Sequence, residues 1–373
     1  MARIMAEHKK LEISINADGK ISEINYLKGF SILSIVLMHL LYRMKDLPSK
    51  IHTLASIGGT GVHVFFLCSG IGLYLSYLKR KMNYTEFLKK RYIKIYIPYI
   101  IVVFVSFLLP WMYSDNDRVA ALFSHIFLFK MFVPRYECSF GGHFWFISTI
   151  IQLYLLFIPM CLIKEKMNNN KHYLGIFLSI SVCWWFFCYI VGNANERIWC
   201  SFCLQYIWEF ALGFVIADEL AKGKIYKISN LFLLIVAVTG IGIQSGMAMT
   251  SGALKVLNDI PALLGYTSLA FLLMNVSLIN KGATWLATMS YELFLVHVLV
   301  FQTIFYFVEP QGLLFQCIIG SGALIVAIVI SFLYHLFSQI IITFVSRTPR
   351  GNTIHRVSVK PCAFKNEPGY VRL

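Results

Sequence analysis

A lysine and a histidine in the first long apolar segment are the residues whose types and spacing best suit chemistry. Lys28 and His39 are eleven residues apart. In an α-helix this spacing is three turns plus about 20°, so both side chains lie on one face, about 16 Å apart along the axis. Ionisable groups inside a membrane span are costly and mark functional sites by default. An elongated ligand, anionic at one end and reactive at the other, would contact both.

Each of the two residues also has a purely structural explanation. Lys28 would extend its ammonium group to the membrane interface, and His39 would hydrogen-bond to a neighbouring helix. The structural and the chemical explanation require different surroundings for the two residues, because a single substrate contacts both groups only where a cavity reaches both. Chemistry at this pair therefore requires a cavity along one face of the first helix.

Two further cations stand at the start of a later apolar segment. Arg91 and Lys94 are about one helical turn apart, after a basic strip at 79–90. Topology and attraction to anionic lipid, worth about 1 kcal/mol per cation, explain the strip. The pair itself can hold a phosphate group, with Arg91 donating two N–H bonds and Lys94 acting as a point charge.

Polar residues also occur inside two later apolar segments. Trp145 and Gln152 share a helical face, and so do Ser290 and His297. A tryptophan at the membrane interface is common, whereas a glutamine one or two turns deeper is not. His297 is expected near the middle of the membrane, where it is the best candidate to contact His39 across the bundle.

The composition identifies the elements that must position these residues. The chain is 58% hydrophobic and 14% charged, with a mean hydropathy of +0.69, which is typical of a polytopic membrane protein. The 33 basic residues against 18 acidic ones then report loop orientation, and no nucleic-acid partner is expected. The C-x-x-C at Cys200 and Cys203 lacks a second pair, so we interpret it as packing and predict no metal site.

The sequence predicts an all-α transmembrane bundle of about ten spans. The apolar segments of sufficient length are 26–44, 57–78, 91–113, 143–163, 172–192, 200–221, 229–247, 256–279, 284–308 and 312–345. Segment 119–134 is shorter, and charge decides its placement. With this segment outside the membrane core, 25 of 33 cations face the N-terminal side; if it spans, 16 do. Cytoplasmic loops are enriched in Lys and Arg.

We therefore predict that 119–134 is re-entrant or interfacial and that both termini are cytoplasmic. The predicted organisation is a polar cytoplasmic tail at 1–21, a single transmembrane domain at 22–345 and a basic cytoplasmic tail at 346–373. The glycines at 58–70 lack the strand and spacing of a nucleotide-binding loop, and they are typical of close helix packing.

Taken in order, these features resemble the integral-membrane acyltransferase-3 family. That family has a basic residue, ten intervening residues and a His in its first helix, as in Lys28 and His39. Further matches are G-V-x-x-F-F-x-x-S-G at 61–70, a basic pair followed by proline (Arg91, Lys94, Pro98), a W-F segment ending in Tyr and Pro (Trp145, Phe146, Tyr154, Pro159), and S-Y-x-x-Y-L-x-H (Ser290, Tyr291, Leu295, His297). The family's usual arginines are lysines at 28 and 94, which keeps the charge without the planar fork.

The resemblance implies a membrane O-acyltransferase in a bacterial inner membrane. Its co-substrate would be cytoplasmic acyl-CoA, usually acetyl-CoA, with no permanently bound cofactor, and its acceptor a hydroxyl group of a glycan or lipid-linked saccharide. The site residues it implies are catalytic His39 and His297, donor-binding Lys28, Arg91 and Lys94, and supporting Ser69, Trp145, Gln152, Ser290 and Tyr291.

In this interpretation the cations hold the CoA phosphates and His39 lies near the thioester. His39 is either the general base on the acceptor hydroxyl or the site of a covalent acyl intermediate. His297, Ser290 or Gln152 would orient the base or stabilise the oxyanion.

Two other classes of function remain open. A proton-coupled transporter would also bury His and Lys, but no internal repeat or paired broken helix is visible. A non-catalytic scaffold would explain the two lysines that replace arginine, but not His39.

Overall fold

Helices form most of the computed structural model, which describes residues 10–16, 19–250 and 252–346. The α-helices are α1 (Ser22–Leu41), α2 (Ser49–Ser56), α3 (Gly61–Lys79), α4 (Tyr84–Arg91), α5 (Ile97–Leu108), α6 (Arg118–Ile126), α7 (Trp145–Lys166), α8 (Asn170–Val191), α9 (Arg197–Cys200), α10 (Cys203–Ala221), α11 (Asn230–Thr250), α12 (Asp259–Leu273), α13 (Ser277–Ala287), α14 (Ser290–Val308) and α15 (Leu313–Ser346). Short 3-10 segments are Ile57–Thr60, Pro110–Met112, Lys130–Phe132, Pro134–Tyr136, Gly142–Phe144 and Gly252–Leu257, and a π-helical turn, Tyr92–Tyr96, joins α4 to α5.

The predicted all-α membrane bundle is confirmed. Among the described residues, nine helical segments are long and apolar enough to span a membrane, and a bent pair, α12 with α13, makes a tenth. The segments differ in burial. The span ending with α10 is 72% buried and that of α7 is 61% buried, whereas α11 and α15 are 17% and 22% buried. Helices α7 and α10 therefore form the interior, and α11 and α15 face outward.

The predicted eighth span, 256–279, is wrong in its bounds. Helix α12 ends at Leu273, and after a short break the chain bends by 118° into α13. The ninth span also begins later than predicted, at Ser290 rather than at 284. Hydropathy reports apolar length and not direction, and α13 stays apolar because it packs against α1.

A two-stranded sheet fixes the side on which the N-terminal segment lies. Strand β1 (Lys10–Ile13) pairs antiparallel with β2 (Tyr226–Ser229), so part of the predicted polar tail 1–21 is ordered. Both strands therefore lie on one side of the bundle, which requires an even number of crossings between them. Six spanning segments, beginning with α1 and ending with α10, satisfy this requirement.

Residues 119–134 do not cross, as predicted. They contribute the nine-residue α6 and a following 3-10 turn, both too short to span a membrane. Residues 347–373, the greater part of the predicted C-terminal tail, lie outside the described residues.

Glycines bring α3 and α10 into close contact. A Cβ at Gly213 would lie 2.6 Å from the carbonyl oxygen of Leu67, and one at Gly70 would overlap the carbonyl of Phe210. The predicted packing role of the glycine-rich segment is therefore correct for Gly70. The close approach of these helices sets His63 on α3 beside α10.

Candidate active site

Two cavities of about 500 Å³ each contain most of the residues singled out by the sequence. The basic cavity is lined by Lys28, Ser69, Arg91, Lys94, Tyr154, Ser290, Tyr291, Glu292 and His335, among others. The imidazole cavity is lined by His39, His63, His143, Trp145, Arg197, Gln205, Tyr206 and Asp259, among others.

Two phenylalanines line both cavities and separate them. The ring centroids of Phe146 on α7 and Phe294 on α14 are 5.1 Å apart, at an interplanar angle of 62°. Lys28 and His39 therefore lie on one helix but in neighbouring cavities, with this aromatic pair at the boundary. A ligand that contacts both must be thin enough to pass it.

The basic cavity collects its cations from three elements. Lys28 comes from α1, and Arg91 and Lys94 come from the junction of α4 and the π-helical turn. Single π turns are frequent at functional sites. The guanidinium of Arg91 lies over the ring of Phe87 at 5.6 Å and that of Tyr154 at 6.0 Å. Its Nε is buried and has no hydrogen-bond partner among the described residues.

The carboxylate of the basic cavity already contacts neighbouring side chains. Glu292 Oε1 accepts a hydrogen bond of 2.8 Å from Ser338 and lies 3.2 Å from Nδ1 of His335. Tyr291, beside it on α14, donates from its hydroxyl to the carbonyl of Ile95 at 2.6 Å. That bond ties the π-helical turn to α14. The cavity thus retains an excess of positive charge on a fixed frame.

In the imidazole cavity, a chain of hydrogen bonds defines the tautomer of His39. His297 Nδ1 lies 2.8 Å from the carbonyl of Leu293, which can only accept, so Nδ1 carries the hydrogen. In a neutral ring, His297 Nε2 is then an acceptor, and it lies 3.1 Å from His39 Nδ1. His39 Nδ1 therefore donates, and His39 Nε2 is left with the lone pair.

A third imidazole, which the sequence analysis did not select, completes this cluster. The ring centroid of His143 lies 5.9 Å from that of His39 and 4.9 Å from that of His297. Both of its ring nitrogens are buried without a hydrogen-bond partner among the described residues. The sequence feature that could have indicated His143 is its position two residues before Trp145, in the same motif.

A buried lysine holds the loop that carries His143. Lys130 Nζ donates to the carbonyls of Ser139 at 3.1 Å and Gly141 at 2.9 Å. Gly141 has φ of +130°, a conformation that side chains disfavour. Burial lowers the pKa of Lys130 to about 7, and its amine keeps two N–H donors when neutral. Lys130 thus fixes the turn immediately before His143.

Aromatic and cationic groups form the opposite wall of the imidazole cavity. The guanidinium of Arg197 lies 5.1 Å from the ring of Trp145, and Arg197 is paired with Glu137 at 3.2 Å. Tyr206 stacks beside Trp145 with centroids 6.0 Å apart. An aromatic wall of this kind beside a guanidinium group suits a polar ring-shaped ligand.

Comparison with known proteins agrees with this geometry. A family model described as an acyltransferase domain matches residues 21–332. This chain belongs to the acyltransferase-3 family. No curated protein and no solved structure gave a match. With its spanning helices, the chain is a multi-pass membrane acyltransferase.

In this acyltransferase, the basic cavity is lined by three of the supporting residues that the sequence predicted. They are Ser69, Ser290 and Tyr291. Ser290 donates to the carbonyl of Ala287 at 3.1 Å and lies in the other cavity from His39, so it does not orient that ring.

Gln152 and His297, which the sequence also predicted as site residues, line neither cavity of the acyltransferase. Gln152 lines neither the basic nor the imidazole cavity, and its Oε1 accepts from the backbone N–H of Cys203, the first residue of α10. It caps a helix rather than contacting His39. His297 is fully buried behind His39 and hydrogen-bonds to that ring rather than lining the cavity itself.

Proposed function

We propose that this acyltransferase moves an acetyl group from cytoplasmic acetyl-CoA to a hydroxyl group of a glycan or lipid-linked saccharide. The observation that carries the proposal is the meeting of a cation-lined and an imidazole-lined cavity at Phe146 and Phe294. Acetyl-CoA has a matching shape, because its phosphates lie at one end and its thioester at the tip of a thin arm.

The basic cavity would bind the phosphates. Lys28, Arg91 and Lys94 supply three positive charges, and Arg91 has an unsatisfied N–H. Charge-assisted hydrogen bonds to phosphate are about twice as strong as neutral ones. The arm of acetyl-CoA would then pass Phe146 and Phe294, so that the thioester reaches the imidazole cavity.

His39 would be the general base. Its Nε2 takes the proton of the acceptor hydroxyl as the hydroxyl oxygen attacks the thioester carbonyl carbon. The carbon–sulfur bond breaks, the ester remains on the acceptor, and the CoA thiolate takes the proton back from His39. The hydrogen bond from His39 Nδ1 to His297 stabilises the imidazolium formed between these steps.

The acceptor would occupy the imidazole cavity. Trp145 and Tyr206 would pack against a sugar ring as part of the cavity wall, and Arg197 beside them would donate to its hydroxyl groups. The positive-inside count supports cytoplasmic termini and a basic cavity open to the cytoplasm, with the acceptor on the outer side of a bacterial inner membrane.

Transfer from labelled acetyl-CoA to a pool of envelope glycans tests the proposal in purified, lipid-reconstituted protein. We expect transfer by wild type and none by His39→Ala, while the exposed His172→Ala stays active. Lys28→Ala should raise the donor KM, and the exposed Lys171→Ala should not. Label bound to protein after quenching without acceptor would distinguish the acyl-His39 route, which uses the same nitrogen.

Absence of both transfer and acetyl-CoA binding in wild type would refute this function. The next hypothesis is a proton-coupled exporter of a lipid-linked saccharide. Its signature would be saccharide movement across the liposome membrane that depends on a pH gradient and requires no acyl donor.

A further inference from the structure

A histidine and two carboxylates from three helices converge at the wall of the imidazole cavity. They are His63 on α3, Glu209 on α10 and Asp259 at the start of α12. One potential ligand atom from each lies within 4.8 Å of the others, and His63 Nδ1 is 2.5 Å from Glu209 Oε1. Neither the base nor the donor-binding residues of the proposed reaction belong to this cluster.

The cluster has an unbalanced charge. Glu209 is 0% exposed and Asp259 is 3% exposed, and the imidazole of His63 faces both. Among the described residues neither carboxylate pairs with a lysine or arginine, and Asp259 accepts instead from the neutral amide of Gln205 at 2.8 Å. Two buried carboxylates this close are not both ionised unless a positive charge compensates them; without a cation, at least one of them holds a proton.

The cluster also contains an unsatisfied acceptor. Glu209 Oε2 is buried and has no hydrogen-bond partner among the described residues. Buried carboxylate oxygens usually have a partner, and a cation bound between the two carboxylates is one group that would supply it. A positive charge at this point would satisfy Oε2 and the charge balance together.

We propose that His63, Glu209 and Asp259 bind one divalent transition-metal ion. An imidazole nitrogen with two carboxylate oxygens is a ligand set that Zn²⁺ and Mn²⁺ accept. Ligand atoms at about 2.1 Å from one ion lie about 3.0–4.2 Å apart. The 4.8 Å spread therefore needs a small contraction, and the 2.5 Å contact between His63 Nδ1 and Glu209 Oε1 must open slightly to admit the ion.

The ion would have two consequences for the molecule. It would join α3, α10 and α12, beyond the glycine contact between the first two. Three protein ligands also leave coordination positions open, and these face the imidazole cavity because His63 and Asp259 line it. The ligands are separated by 146 and 50 residues in the sequence, so no local spacing motif could predict the site.

Binding of Mn²⁺ alone to the chelator-stripped, reconstituted protein tests the inference without any acyl donor. Free Mn²⁺ followed by electron paramagnetic resonance should show one ion bound per wild-type chain, displaced by Zn²⁺. Glu209→Gln and Asp259→Asn should each weaken binding at least tenfold. The control is Glu292→Gln, which alters another buried carboxylate beside a histidine and should leave Mn²⁺ binding unchanged.

Thermal unfolding supplies a second measurement. Mn²⁺ should raise the Tm of wild type and of Glu292→Gln, and should not move the Tm of folded Glu209→Gln or Asp259→Asn. Wild type that binds no ion, or variants that bind it as wild type does, would overturn the inference. Because acetyl transfer is assayed separately, loss of the metal site and loss of the proposed function are distinguishable.

Discussion

Replacing His297 by phenylalanine isolates the hydrogen bond that orients His39. His297 is fully buried, lies behind His39 and lines neither the basic nor the imidazole cavity. Phenylalanine fills similar space but cannot accept the N–H of His39 Nδ1, now 3.1 Å from His297 Nε2. The substitution therefore removes the partner of the base without changing the cavity walls.

The size of the effect follows from the charge that His39 gains in the proposed reaction. When Nε2 takes a proton, the bond from Nδ1 becomes a hydrogen bond from a charged donor, worth about 1.5–3 kcal/mol. The neutral bond of the ground state is already worth about 0.5–1.5 kcal/mol, so the charge adds about 1–1.5 kcal/mol in the transition state. At 1.36 kcal/mol per tenfold change in rate, losing this difference lowers kcat by about 5- to 13-fold. The donor KM should stay unchanged, since the basic cavity does not contain His297.

The assay compares kcat and donor KM for acetyl transfer in liposomes among wild type, His297→Phe and His297→Gln. The glutamine carbonyl can still accept from His39 Nδ1, so His297→Gln should recover most of the lost kcat. A twofold change or less in His297→Phe would refute the reasoning. Equal losses in both variants would show that packing at 297, rather than the hydrogen bond, matters.

Three other predictions concern the barrier, the helix packing and the buried lysine. Phe146→Trp should lower kcat at least about tenfold by displacing the thioester, while acetyl-CoA binding stays intact; equal losses of both would contradict a barrier role. Gly213→Ala should lower the free energy of unfolding by about 1–3 kcal/mol, since the added Cβ would lie against the Leu67 carbonyl. An unchanged Tm would refute this. Because burial lowers the pKa of Lys130 from 10.5 to about 7, the unfolded chain binds more protons between those values. The Tm of wild type should therefore rise relative to Lys130→Met as the pH increases from about 7 to 9.5, and parallel Tm curves would contradict it.

The helical bundle could be predicted from the sequence because its signals are local. Each span is about as long as a bilayer is thick. The distribution of lysine and arginine predicts that 119–134 lies outside the membrane core. The pairing of β1 with β2 requires the same result, because it needs an even number of crossings between the strands. The face shared by Lys28 and His39 followed from helical geometry alone. Contact between His39 and His297 needed only that both lie deep in facing spans.

The remaining features depend on directions and distances that sequence does not contain. The 118° bend after Leu273 joins two apolar helices, so hydropathy cannot detect it. Gln152 shares a face with Trp145, yet its Oε1 accepts from the N–H of Cys203 and it does not line the imidazole cavity. The partner of His63 is Glu209, which is remote in sequence and reaches it only because glycines let α3 and α10 approach.

The aromatic boundary explains why the cations and the base belong in separate cavities. A membrane enzyme that takes its donor from one side and its acceptor from the other must not leave a continuous water path between them. Phe146 and Phe294 are 8% and 4% exposed and lie where the two cavities meet. In the proposed reaction only the thin arm of the donor crosses this pair, and its presence there excludes water from the thioester. In the proposed reaction, placing the charged head of the donor and the imidazole on opposite sides of this pair therefore couples donor binding to closure of the water path.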